Sequence, residues 1–180
     1  MSLRHREPAP AEMTATTIPA RPGTYALLLA VERRRRITIG RLGALAAAAG
    51  CYVYIGSAFG PGGLRARLRH HLGVAQRLHW HIDYLRRIAT PFEIWYREDH
   101  HGSEHVWAQT CASLAGASLP LPHFGASDCT CAAHLFHFNT PPSLTDFAAR
   151  LPPAAAAHRK IHRVTATAAA LPALLRDQHS

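Results

Sequence analysis

Gly50-Cys51-Tyr52-Val53-Tyr54-Ile55-Gly56-Ser57-Ala58 is the stretch that decides the fold. Its two tyrosines and two β-branched residues over Cys51–Ser57 predict a strand. Alternation places Tyr52, Tyr54 and Gly56 on one face and Cys51, Val53 and Ile55 on the other. The apolar second set is expected to take the core. Tyr54 then faces a surface or cleft, and Gly56 lets a ligand approach the backbone. For one tyrosine alone, an ordinary half-buried strand residue is the plainer reading. Upstream, however, Gly23-Thr24-Tyr25 repeats the pairing of a tyrosine with a nearby glycine. It opens the continuous apolar run Tyr25–Ala30, which predicts a buried strand.

Working outward, Glu32–Arg36 is a charged turn, Ile37–Ile39 a short partner strand and Gly40–Gly43 a turn. Ala44–Ala49 is too rich in small residues to be assigned. Phe59-Gly60-Pro61-Gly62-Gly63 is a loop. The period then changes, and Leu64, Leu68 and Leu72 mark an amphipathic helix. Arg67 and His71 lie side by side on it and flank the leucine stripe. A solvated basic helix is one reading. In the other, Arg67 neutralises a phosphate oxygen at the mouth of a cleft and His71 hydrogen-bonds a phosphate or water. Arg65 and Arg69, on the opposite flank, suit nucleic-acid backbone contacts.

Further helices are predicted over Ile82–Ile88 and from the N-cap Ser103 to Leu114, with strands over Phe92–Tyr96 and His134–Phe138. This order predicts a small α/β fold with a mainly antiparallel sheet of three to four strands flanked by helices, because the hairpin connections are short. The expected organisation is a disordered tail over 1–21, one domain over 22–139, and a Pro/Ala-rich appendage over 140–180. Within that appendage, Ala154–Arg176 has the composition to form a helix.

The chain of 180 residues carries a formal charge of +9, nearly all of it from arginine. Arginine binds phosphate through a planar fork and stacks on bases, so nucleic acid is the expected partner, DNA before RNA. There is no apolar run of the roughly 18 residues that spans a bilayer. Met1–Arg21 lacks the apolar stretch of a secretory signal. A soluble, cytoplasmic protein is expected.

Glu104 shares the apolar stripe of its helix with Trp107, Cys111 and Leu114. A carboxylate there must be paired, hydrogen-bonded or metal-bound, unless it merely complements the helix dipole at an exposed end. In His79-Trp80-His81-Ile82-Asp83-Tyr84-Leu85, His81 and Asp83 can reach a cleft, while Asp83 also suits a helix start. Cys129, Cys131 and His134 form a Cys-x-Cys-x-x-His set of three soft ligands. A zinc site would need a fourth, from Cys51, Cys111 or a histidine. A compact turn with small buried thiols is the simpler alternative, and reduced thiols are the default in a cytosolic chain.

Taken together, Gly23–Tyr25, Gly50–Ala58, Phe59–Arg67, His79–Leu85 and Phe124–Phe138 resemble a largely prokaryotic branch of the GIY-YIG nuclease superfamily. Its pattern here reads GTY…YVYIGSA…HWHIDYL…FGASDC, with Thr24 where isoleucine is usual. Some members are fused to DNA-repair glycosylases. The likeness covers about residues 22 to 138. It implies a metal-dependent endonuclease, with DNA in a repair or processing role. Glu104 would hold Mg²⁺ or Mn²⁺, Tyr25 or Tyr54 would aid deprotonation of the attacking water, Arg67 would stabilise charge, and His71 and His81 would orient water or phosphate. Where many active members carry an asparagine after the Glu helix, this chain has His123, Phe124 and Ser127. The alternatives are a nucleic-acid-binding module of weak or no activity on the same fold, and a zinc-stabilised interaction domain.

Overall fold

The computed structural model describes residues 18–73, 77–99, 102–127, 129–156 and 160–165. Its centre is β1 (Gly23–Val31), the apolar run expected to be a buried strand. It pairs antiparallel with β4 (Gly50–Ala58) on one side and β5 (Thr90–Glu98) on the other. β6 (Leu135–Phe138) adds to β4, and β7 (His162–Thr165) adds to β5. The result is a five-stranded antiparallel sheet in the order β6-β4-β1-β5-β7. β2 (Arg35–Ile39) and β3 (Gly43–Ala47) form a separate hairpin. Residues 44–47 of the unassigned alanine stretch are therefore strand. Leu45 and Ala47 are its buried positions, and they alternate with exposed Ala44 and Ala46.

The helices are α1 (Gly63–Leu72), α2 (His81–Leu85), α3 (Glu104–Ala112), α4 (Leu144–Arg150) and the short α5 (Pro153–Ala156). α2 is shorter than Ile82–Ile88, since residues 86–88 form a turn. A mixed α/β fold with an antiparallel sheet is what the sequence predicts, but the sheet has one strand more than the upper expectation.

Both faces of this sheet are covered, which corrects the one-sided reading of β4. Tyr25, Leu27, Leu29, Tyr52 and Tyr54 pack with Leu64, Leu68, Ile82 and Phe124 on the first face. Val53, Ile55 and Trp95 pack with Trp107, Cys111 and Phe147 on the second. A doubly covered strand buries both of its alternating sets. Tyr54 is accordingly only 8% exposed and Tyr25 1%.

The segment after Thr140, read from its composition as an appendage, carries part of this cover. The Phe147 ring lies 5.3 Å from Trp95 and 5.1 Å from Trp107. Arg163 of β7 donates to both carboxylate oxygens of Glu93 at 2.8 Å. At the other end, Ile18 is fully buried. Pro19 and Arg21 carbonyls accept from the first amides of α1, Arg65 and Leu64. The ordered chain thus begins before Gly23. The rest of the predicted tail, residues 1–17, lies outside the described residues, as do 157–159 and 166–176 of the helix expected over Ala154–Arg176; within that span His162–Thr165 is strand and not helix.

Among the described residues, no helix is long and apolar enough to cross a membrane.

Candidate active site

β1 and β4 run antiparallel with Tyr25 opposite Gly56 and Leu27 opposite Tyr54. This register places the two tyrosines on one face as diagonal neighbours, with ring centroids 6.4 Å apart. Gly56 is what allows it. A Cβ there would lie 2.4 Å from the Tyr25 hydroxyl oxygen. The expectation that Gly56 admits a ligand is therefore corrected: the missing side chain makes room for the phenol of Tyr25.

α1 crosses the same face and brings His71 to the pair. Its Nε2 and the Tyr25 hydroxyl are hydrogen-bonded at 2.8 Å, and its ring stands edge-on to Tyr54 at 5.9 Å. His71 is fixed from behind by Arg86, whose guanidinium donates to the carbonyls of His71, Leu72 and Ala89. The His71 and Leu72 carbonyls are among those left open at the C-terminus of α1. Arg67, one turn earlier, lies over the Trp80 ring at 4.5 Å, a cation–π contact that holds its guanidinium in place. Asp83 accepts from the backbone amides of His79 and Trp80 at 2.9 Å and faces His70 Nε2 at 3.5 Å. The segment expected to reach a cleft is thereby locked beneath α1.

Glu104 is the first residue of α3, on the opposite face of the sheet. Its Oε2 accepts from the Ser57 hydroxyl, and Oε1 faces His134 Nδ1 at 2.7 Å. Ser57 belongs to the second face of β4, the face α3 packs against. The start of α3 is set by Thr24, the residue standing in the isoleucine position. Its hydroxyl donates to Asp99 at 2.9 Å and accepts from the Ser103 amide at 3.1 Å. Ser103 precedes α3 as expected, but its side chain accepts from Arg97 and makes no cap bond.

Electrostatics join the two faces. Burial, then the neighbouring Tyr54, push the Tyr25 pKa well above the usual phenol value, with Glu104 also raising it and Arg67 opposing. Tyr54 is raised by burial and by Glu104, again against Arg67. Both phenols therefore feel the guanidinium and the carboxylate, the two charged groups predicted for the site. His71 is lowered to about 3, by burial first and then by Arg67 and His70, so its ring is neutral at ordinary pH.

For Glu104, partial burial pushes the pKa up. The hydrogen bonds from His134 and Ser57 and the nearby charges of His134 and His105 together outweigh that, and the net shift is downward. An ionised carboxylate, with Ser57 hydrogen-bonded to one oxygen and His134 in close contact with the other, is a hard ligand of the kind that Mg²⁺ and Mn²⁺ take.

His81, at the start of α2, accepts the Gly125 amide proton at Nδ1 (3.0 Å) and packs on Phe124 at 5.5 Å. Burial lowers its pKa. It is thus tied to the loop that holds Phe124 against Tyr54. Arg65 donates through Nε to the Ile18 carbonyl at 2.9 Å, while Arg69 is exposed. Cys129 Sγ lies 3.4 Å from His134 Nε2. Cys51 and Cys111 are buried in the second core, away from the ligand atoms that gather around Cys129. Asp128, in the FGASDC stretch, lies outside the described residues.

Sequence reasoning missed Ser57 and His105. Alternation alone sends Ser57 to the face opposite Tyr54, and adjacency to Glu104 flags His105.

A family model, Domain of unknown function DUF123, matches residues 24–156. The chain belongs to the DUF123 family. No curated protein and no solved structure matches it. The DUF123 match opens inside the Gly23–Tyr25 motif and runs through α4 into α5. It therefore takes in Tyr25, Tyr54, Arg67, His71, Glu104 and His134, together with the Phe147 cover.

Proposed function

We propose that this DUF123 chain is a metal-dependent endonuclease of the GIY-YIG kind, acting on DNA phosphodiester bonds in repair or processing. The observation that carries the reading is the convergence of Tyr25, Tyr54 and His71 in one cluster that is electrostatically coupled to Arg67 and Glu104.

Within that reading, Glu104 is the metal-holding residue, oriented by Ser57 and His134. Mg²⁺ or Mn²⁺ held by Glu104 would supply Lewis-acid stabilisation of the negative charge that develops in phosphodiester cleavage. Arg67, fixed over Trp80, stabilises negative charge on a phosphate oxygen. Tyr25 and Tyr54 are poor bases at rest, since burial raises both pKa values. Positive charge brought near them reverses that penalty, as Arg67 already does in part. Neutral His71 hydrogen-bonds and orients the Tyr25 hydroxyl. Where cationic charge lowers a phenol enough to ionise it, the phenolate oxygen takes the proton of the attacking water.

The surface supports a polyanionic partner. Exposed Arg33, Arg35, Arg36 and Arg87, with Arg86 and Glu32, line one concavity between the β1–β2 turn and the residues after α2. Phosphate contacts of that kind give salt-dependent affinity without sequence preference.

The test is a panel of nicked, forked and flapped DNA duplexes incubated with the full chain and Mg²⁺ or Mn²⁺. Metal-dependent strand scission is the expected result. Salt-sensitive binding with no scission on any substrate would replace the nuclease with a binding module on the same fold.

A further inference from the structure

His105, Cys129, Cys131 and His134 bring one ligand atom each to within 4.8 Å of one another. Two are on the loop that leads into β6, one is at its end, and His105 is on the first turn of α3. His105 Nδ1 is 3.2 Å from Cys131 Sγ, and His134 Nε2 is 3.4 Å from Cys129 Sγ. In a tetrahedral zinc site, with Zn–S about 2.3 Å and Zn–N about 2.0 Å, a nitrogen and a sulfur ligand lie roughly 3.5 Å apart. The two observed pairs sit near that spacing.

The composition also fits. Two thiolates and two imidazoles are a structural zinc set, and a hard ion such as Mg²⁺ has no claim on them. The three ligands legible in the sequence lacked a fourth, and the fold supplies it from a helix on the other side of the loop. We propose that these four residues bind a zinc ion.

The consequence reaches Glu104. A neutral His134 that gives its Nε2 lone pair to zinc must carry its hydrogen on Nδ1. That Nδ1 is the atom facing Glu104 Oε1 at 2.7 Å. Zinc would therefore fix the tautomer that donates to the carboxylate, the usual pairing of a metal-bound histidine with an outer carboxylate. It would also tie the loop bearing Phe124 to α3. His134 is here a positioning residue for Glu104. That role rests on the function proposed above, whereas zinc binding stands apart from it.

The experiment is metal analysis of the full chain, purified with reductant and reconstituted with zinc, beside a Cys129→Ser/Cys131→Ser double variant and Glu104→Ala. About one zinc per chain is expected in the first and third proteins, with at least a tenfold loss in the second. Wild-type protein that retains no zinc after desalting overturns the proposal, as does a double variant that retains it in full. Should the double variant fail to fold, cobalt(II) replacement in the wild type decides. Strong tetrahedral d–d bands with thiolate charge transfer support the site, and a weak octahedral spectrum overturns it. No arm reads cleavage, so a failed zinc site leaves the nuclease reading standing, and that reading stands or falls separately on the strand-scission panel.

Discussion

His71 is buried neutral, and its cost on acidification can be worked from the structure. It is 2% exposed, and its folded pKa is about 3, against about 6.5 for an unperturbed histidine. Above pH 6.5 both folded and unfolded states hold it neutral, and it adds no pH dependence. As the pH falls, the unfolded chain takes up a proton that the folded chain refuses, so stability is lost. Between pH 7.5 and pH 5 that linkage amounts to about 2 kcal/mol, or roughly 30-fold in the unfolding constant. The perturbation is His71→Gln, which keeps a polar partner for the Tyr25 hydroxyl and removes the titration. The assay is urea unfolding followed by tryptophan fluorescence, for both proteins at both pH values. Every other titrating group is common to the two and subtracts. The wild type should lose about 2 kcal/mol more than the variant over this interval. Equal losses would refute the account of His71 as a neutral, desolvated partner of Tyr25.

Other predictions test the packing and the charge. Gly56→Ala places a methyl 2.4 Å from the Tyr25 hydroxyl oxygen; thermal unfolding should show a loss of about 1–3 kcal/mol, the usual cost of overpacking. Phe147→Ala should cost about 3–5 kcal/mol, because the ring is buried between Trp95 and Trp107; an unchanged unfolding midpoint would mean that α4 contributes nothing to the core. Duplex binding should weaken steeply with salt. An Arg35→Ala/Arg36→Ala variant should flatten the log–log salt dependence by about 0.9 for each phosphate it no longer neutralises, measured by fluorescence anisotropy.

What was legible in the sequence followed from periodicity. Tyr25–Ala30 and Cys51–Ser57 read as strands and are β1 and β4, and the Leu64, Leu68, Leu72 stripe reads as a helix and is α1. Glu104 at the head of an apolar stripe was likewise visible, since Trp107 and Cys111 keep helical spacing with it. What failed depended on residues distant in the chain. Tyr54 was expected to face a cleft, because nothing near it in sequence announces that Phe124 will cover its ring. The alanines of β3 carry too little side chain to signal their alternation. β7 lies beyond a Pro/Ala-rich stretch, and its place comes from the unpaired edge of β5 and the bidentate Arg163–Glu93 ion pair. The partnership of Gly56 with Tyr25 is a cross-strand register effect, set by two hydrogen-bonded strands together. His105 joins Cys129, Cys131 and His134 only because α3 packs beside the loop before β6.

The most direct measurement is single-turnover cleavage, with Mg²⁺, of whichever DNA substrate the wild-type chain cuts fastest, for wild type and Glu104→Ala, with DNA affinity measured in parallel. A loss of at least about 100-fold in the cleavage rate at near-unchanged affinity is the predicted result, since the carboxylate acts on the transition state and the arginines on binding. A Glu104→Ala protein that cuts at the wild-type rate would contradict the account at its centre.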